Sequence, residues 1–179
     1  MASILNVDQI NNAAGTSGLT LDASTGKASF PNGATLPAGS VIQVQYRAVA
    51  NNGFTTTSAS MTDITNWYVD ITPKFSNSIL VWQTTITLLL DNVNAYGRFR
   101  IVDSNNGDTQ WSSNSYMGSS SYYQPTAGMI DYPFLHANTA GTTSSMRLQF
   151  QAQVNSGGTL HNAWSNGDNR IIMVTEIAQ

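Results

Sequence analysis

The sequence predicts an all-β protein: an antiparallel β-sandwich of jelly-roll type, preceded by a short extended or β-structured N-terminal arm. Three observations predict it. Apolar and polar residues alternate with a period of two in most apolar windows, as in a strand with one wet face. Gly, Asn, Asp, Ser and Pro punctuate these windows at regular intervals. No window carries convincing helical periodicity. Seven or eight strands spaced in this way indicate a sandwich or barrel, and one apolar face opposite one wet face indicates antiparallel pairing.

Residues 1–37 form the arm, and 38–179 the head domain. The arm has only short apolar runs: Ile4, Leu5, Val7 and Ile10, then Leu19 and Leu21, then Ala28 and Phe30. Such runs cannot bury a core alone, since an isolated strand pair in water is marginal. They are expected to order against a partner or against copies of themselves, three of which can bundle into a shared stem, so the arm reads as an attachment and trimerisation segment. Pro31, Gly33, Pro37 and Gly39 read as a hinge, because Pro fixes φ and Gly admits unusual turns.

In the head, Val41–Val49 is expected to place Ile42, Val44 and Tyr46 on one face and Gln43, Gln45 and Arg47 on the wet one. Trp67, Val69 and Ile71 alternate with Tyr68 and Asp70, and Trp67 and Trp82 read as core. Residues 79–90 read as one long strand or a bent pair interrupted at Gln83 to Thr85. Tyr96 to Val102 alternates through Arg98 and Arg100. Met129 to Leu135 is a weaker strand, because Pro133 fits best at an edge or bulge. Met146 to Val154 carries the clearest pattern, with Met146, Leu148, Phe150, Ala152 and Val154 on one side and Arg147, Gln149, Gln151 and Gln153 on the other. A last strand, 169–178, closes the domain. Strong patterning of the first and last strands fits their pairing side by side in a jelly roll.

Composition narrows the function. Only 9% of the 179 residues are charged, against ~25% in an average soluble protein, so polarity rests on Ser, Thr, Asn and Gln. Such surfaces suit β-rich extracellular and virion proteins. The net charge is −3, and Arg47, Arg98, Arg100, Arg147 and Arg170 are scattered through strand patterns. No basic face offers itself to nucleic acid. There are no cysteines, which fits assembly in a reducing cytoplasm. Neither a signal peptide nor an apolar run long enough to span a membrane is recognisable.

Catalytic constellations are not found. His136 and His161 lie in different segments with no cysteine to complete a zinc site, so no metal and no cofactor are expected. The acidic loop from Asp103 to Asp108 lacks the bidentate carboxylate of a calcium loop, and an Asn-Gly turn accounts for it. Glycoside hydrolysis needs two carboxylates at a defined separation. Among Asp63, Asp70, Asp91, Asp103, Asp108, Asp131, Asp168 and Glu176, most sit beside turn residues, which is the ordinary place for Asx side chains. Neither a nucleophile elbow nor a phosphate loop is present. No enzymatic activity is expected.

Both ends of the chain resemble small virion and tail-fibre proteins of tailed phages, marine and cyanobacterial ones especially. The leader reads L-x-V-D-x-I … L-x-L-D … G-x-x-x-F-P through Leu5, Val7, Asp8, Ile10, Leu19, Leu21, Asp22, Gly26, Phe30 and Pro31. It runs into Pro37, Gly39, Ser40, Val41, Ile42, Gln43 and Val44, and the chain ends on Val174-Thr175-Glu176-Ile177-Ala178. The middle carries no matching motif. The resemblance implies a non-enzymatic virion protein assembled in the bacterial host cytoplasm, mounted on other virion proteins through its arm. As a short tail fibre or spike it would be a homotrimer contacting the host surface. As a capsid decoration or head fibre protein it would bind the shell through the same arm.

One segment suits receptor contact. Trp111, Tyr116, Tyr122 and Tyr123 lie among Ser, Gly and Asn residues, and aromatic rings with such neighbours form adaptable binding surfaces. Trp164, near His161 and Asn162, is a second candidate for host surface glycan. The alternative is that these rings pack inward or against a neighbouring subunit. Several weak sites on one particle raise avidity by ~10²–10⁴, which favours an oligomer.

Overall fold

The computed structural model describes residues 9–11, 17–22, 24–25, 28–29, 37–49, 54–91, 95–118, 130–155, 157–162 and 170–179. The chain divides into two units, Met1–Leu36 and Pro37–Gln179. In the first, β1 (Gln9–Asn11), β2 (Ser17–Leu21) and β3 (Ala28–Ser29) pair antiparallel in the order β1-β2-β3. Asp22 closes the turn after β2, its Oδ1 accepting from the backbone N–H of Ser24 at 3.0 Å and of Thr25 at 2.6 Å. The side chains described here bury little: Ile10 is 51% exposed, Leu21 is exposed and Leu19 half-buried. Ile4, Leu5, Val7 and Phe30 lie outside the described residues.

The second unit contains β4 (Val41–Val49), β5 (Thr55–Thr56), β6 (Thr62–Ile71), β7 (Ile79–Leu90), β8 (Tyr96–Asp103), β9 (Thr109–Gln110), β10 (Ser115–Gly118), β11 (Ile130–Thr139), β12 (Met146–Val154), β13 (Leu160–Asn162) and β14 (Arg170–Ile177). All pairings are antiparallel. The larger sheet runs β4-β14-β7, and β11 must flank the far edge of β7 because β14 and β11 both pair with residues 79–83. The smaller sheet runs β10-β8-β12-β6. Setting aside the short β5, β9 and β13, the eight remaining strands interleave as 1-8-3-6 and 2-7-4-5. That is the jelly-roll order, in which first and last strands lie side by side.

Phe150 on β12 organises the core. Its ring stacks on Trp82 and on Phe99 with centroids 5.6 Å apart in each case, and meets Phe134 edge-on at 5.1 Å. Trp67 lies tilted at 6.2 Å. These rings come from β6, β7, β8, β11 and β12, so one cluster bonds both sheets. Gly97 packs close beside it: a Cβ there would stand 3.1 Å from the Phe99 ring, which would have to give way slightly.

Four strands differ in detail from their sequence patterns. In β4 the expected faces are exchanged. Val44 and Tyr46 are 45% and 71% exposed, while Gln43 and Arg47 turn inward and are half-buried. Pairing decides this: Gln43 and Arg47 stand opposite Glu176 and Ile172 of β14, both fully buried, and so share their face. An edge strand tolerates polar residues there because they reach past the core. Gln43 Nε2 donates to the Thr72 carbonyl at 2.8 Å, and the Arg47 guanidinium lies 4.0 Å from the Tyr68 ring centroid.

In β12, Gln149 and Gln151 belong to the expected wet face yet are buried. Strand β6 bulges opposite them, with Asn66 at φ 67°, and Gln149 Nε2 donates to the carbonyls of Ile64 and Trp67 at 2.8 and 3.3 Å. The side chain replaces ladder bonds that the bulge removes. Strand β7 is continuous and changes partner at its polar middle, from β14 to β13, with Thr84 Oγ1 donating to the Ile171 carbonyl at 2.8 Å. Strand β11, with Pro133, is an edge strand running on to Thr139.

Candidate functional site

The segment that sequence singles out begins at the β8–β9 corner. Asp103 ends β8 and its carboxylate accepts from the N–H of Asn105 at 3.2 Å and of Arg147 at 3.0 Å, tying the turn to β12. A short 3-10 turn (Ser104–Asn106) follows, then Gly107 and Asp108 with left-handed φ of 61° and 57°. This is a turn of the Asn-Gly kind, and its carboxylate is engaged in hydrogen bonds to backbone. Strand β9 then returns along β8.

Trp111 follows directly. Its N–H donates to the Ile101 carbonyl at 2.9 Å, and Ser112 Oγ accepts from the Ile101 N–H at 2.8 Å, holding the chain down against β8. The ring is 6% exposed and belongs to the core, so it packs inward and is not itself an exposed platform for a sugar. The Trp111 carbonyl accepts from Asn138 Nδ2 at 2.6 Å, which joins this segment to the edge strand β11. Beside Trp111 lies an open hollow of about 240 Å³ whose lining includes Asp103, Asn106, Gln110 and Asn138. Tyr116 lies in β10 opposite Arg98 in the pairing with β8. Tyr122, Tyr123 and Trp164 lie outside the described residues, as does all of 119–129.

The two histidines are far apart in partnership. His136 Nε2 and Ser115 Oγ share a hydrogen bond at 3.1 Å, and burial pushes the imidazole below its ordinary pKa, which favours the neutral ring. His161 Nε2 stands 3.7 Å from Asp91 Oδ2, whose other oxygen accepts from the Thr159 N–H at 2.5 Å. Burial alone would raise the Asp91 carboxyl, but Thr159 and His161 outweigh it and hold it below the usual range. No group of three His, Asp or Glu side chains suited to a metal occurs among the described residues. Nor does any helix among them have the length and apolarity to cross a membrane.

Among the described residues, Glu176 is the most buried carboxylate. It is fully buried on β14, where Oε1 accepts from the N–H of Lys74 at 2.8 Å and of Phe75 at 3.2 Å, and Oε2 accepts from Gln43 Nε2 at 2.6 Å. Desolvation would raise its pKa, yet these donors hold the carboxyl below the ordinary 4.5. Its role is structural: it fastens the β6–β7 corner and the edge strand β4 to the last strand.

A feature that the sequence patterns do not single out is the outer face of the larger sheet. Tyr46, Leu135 and Ile171 are 71%, 68% and 56% exposed there. A signal for it exists in β14, where Ile171-Ile172-Met173-Val174 is apolar on both faces although an antiparallel sheet with a wet side should alternate.

No family model matches this chain, and no curated protein matches it. Among solved structures, the chain is similar to the VP2 subviral particle of infectious bursal disease virus, at 10% identity and a TM-score of 0.42. That match covers 98% of this chain and 54% of the other. A mutant VP2 protein of the same virus, from derived T=1 particles, matches at 7% identity and a TM-score of 0.38, covering 89% of this chain and 44% of that one. The chain thus spans about half the length of the solved chains it matches. The jelly-roll assignment rests on this chain's own strand order and register.

Proposed function

We propose that this chain is a non-enzymatic structural protein of a tailed-phage virion, a short tail fibre or spike. Residues 1–37 mount it on other virion proteins, and the head of 38–179 is presented as a homotrimer. The observation that carries the reading is a contrast in self-sufficiency. The head closes its own core around Phe150 and pairs its first long strand with its last. The arm's described apolar side chains stay exposed or half-buried, as in a segment meant to be covered by something else. The phage-like wording at both termini supports the same division.

The segment 108–127 is the proposed host contact. Trp111 acts as its buried anchor, and Tyr116, Tyr122 and Tyr123, with Trp164 nearby in type, supply rings for host glycan. Assembly takes place in the host cytoplasm, and the mature site of the protein is the virion. Two measurements test this. Labelled antibody against the head should mark the tail, and Tyr116→Ala with Tyr122→Ala and Tyr123→Ala should reduce adsorption at least tenfold without loss of fold. Label on the capsid shell, with adsorption unchanged, would replace this reading by a decoration or head fibre protein bound through the arm.

A further inference from the structure

We infer that the outer face of the larger sheet is a contact surface between copies of this chain, with Tyr46 of one copy seated in the groove between β14 and β11 of the next. The face is set by register. Tyr46, Met173, Gln83 and Leu135 form one row across β4, β14, β7 and β11, and Val44, Thr175, Val81 and Ala137 form the row beside it. Side chains opposite one another share a face, so these rows lie on the side away from Trp82, Ile172 and Val174, which are fully buried.

The face is uneven in a way that fits itself. Along its β4 margin stands Tyr46, 71% exposed. Towards the β11 margin, Ile171 and Met173 on one side and Pro133 and Leu135 on the other bound an open groove of about 520 Å³ floored by β7. Knob and groove lie two strands apart, from β4 to β7, roughly 10 Å at the usual spacing. A knob near one margin and a groove near the other is the arrangement of a head-to-tail contact, which closes into a ring when the rotation permits.

Charge selects the occupant. The central rows carry Val, Tyr, Ala, Met, Thr, Gln, Ile, Pro and Leu. The charges on this side of the sheet stand towards one end, where Asp131 is opposite Thr87 in register and His161, opposite Leu89, is paired with Asp91. A basic or acidic partner gains nothing at the central rows, whereas a second copy brings an equally neutral surface and buries no charge there. Four strands of eight to twelve residues give a footprint on the order of 500 Å², and corrugation brings the accessible area close to the ~800 Å² per partner of a standard interface. The proposal rests on the reading that the chain assembles with itself, and it names the surface.

Sedimentation equilibrium of the full chain tests it. Wild type is expected to be a trimer, and Tyr46→Lys or Leu135→Glu alone should weaken association at least about 30-fold, the loss of one central anchor. The double variant should regain association at low salt, because the new cation then meets the new anion. Arg100→Glu on the other sheet should leave the mass unchanged, and Ile171→Lys, at a 56% exposed site, repeats the test should either variant fold poorly by circular dichroism. A monomeric wild type overturns the inference together with the homotrimer of the proposed function, leaving only the virion role, whereas single variants that associate like a trimeric wild type overturn the inference alone. Single variants that dissociate with no recovery in the double overturn the seating of Tyr46. A dimer lost on the same substitutions supports the surface while replacing the threefold ring of the proposed function by a twofold.

Discussion

The outer faces of the two sheets differ although both strands sets alternate. The smaller sheet wears a polar lattice. Arg147 grips Asp70 through two bonds of 2.8 and 3.1 Å, Arg100 Nε donates to Gln151 Oε1 at 2.7 Å, and Gln151 Nε2 donates to Asp63 Oδ1 at 2.8 Å. Tyr68 lies beneath the guanidinium groups of both Arg47 and Arg147, at 4.0 and 4.1 Å. The larger sheet shows Val44, Tyr46, Leu135 and Ile171 instead. The charged ends of the polar lattice, Asp63, Asp70 and Arg147, keep hydration on their free sides, while Gln151 within it is buried. An uncharged apolar face exceeding single scattered residues marks an interaction surface. The two faces therefore differ in kind: one carries a hydrogen-bonded network of polar and charged side chains, the other exposed apolar ones.

Substitutions can break this contrast, and their effects should fall in a definite order. Phe150→Ala removes the ring shared by both sheets and should cost about 3–5 kcal/mol in denaturant unfolding. A loss below ~1.5 kcal/mol would show that the sheets do not share one core. Glu176→Gln replaces an acceptor oxygen by an amide facing donors, and should cost on the order of 2–3 kcal/mol. Its pH dependence has a definite sign. The folded carboxyl sits below the ordinary 4.5, so its contribution is complete above that value and is lost as pH falls through the depressed one. Thermal melts of wild type should therefore decline in acid more steeply than those of Glu176→Gln, and parallel curves would sink this account.

Gln149→Leu strands the carbonyls of Ile64 and Trp67 behind the β6 bulge, and about 1–3 kcal/mol should be lost. Equal stability would mean that water reaches the bulge. Arg147→Ala, on an ion pair whose partners are 40% and 49% exposed, should cost under ~1 kcal/mol, with the difference shrinking in high salt. The smallest effect belongs to the arm. Hydrogen bonds from Thr25 and then Ser24 hold the exposed Asp22 carboxyl at about 2, against an ordinary 3.8. A carbon-detected NMR titration should place its midpoint near that value, and a midpoint in the ordinary range would show the turn is open.

Much of the head was legible in its residues. Period two in Met146–Val154 announces a strand of that length, and Pro133 announces an edge. Trp67 and Trp82 read correctly as core, at 3% and 0% exposed. Of the aromatic candidates, Trp111 shows where such reading stops: nothing in W-S-S-N-S-Y distinguishes an anchor from a platform, and the carbonyl of Ile101 with Asn138 decides for burial.

What the sequence by itself determined is that the long strands exist, roughly where they run, and that most of them have two unlike faces. Alternation suffices for that, because side chains leave a strand on opposite sides whatever its partners. Which face is inward was settled only by pairing. Val44 and Tyr46 of β4 look like core in isolation, but a register that sets Gln43 against Glu176 and Arg47 against Ile172 turns them outward. Burial at Gln149 likewise needed a bulge on another strand. One residue of register reverses every side chain of a strand, and register belongs to the fold, not to the strand.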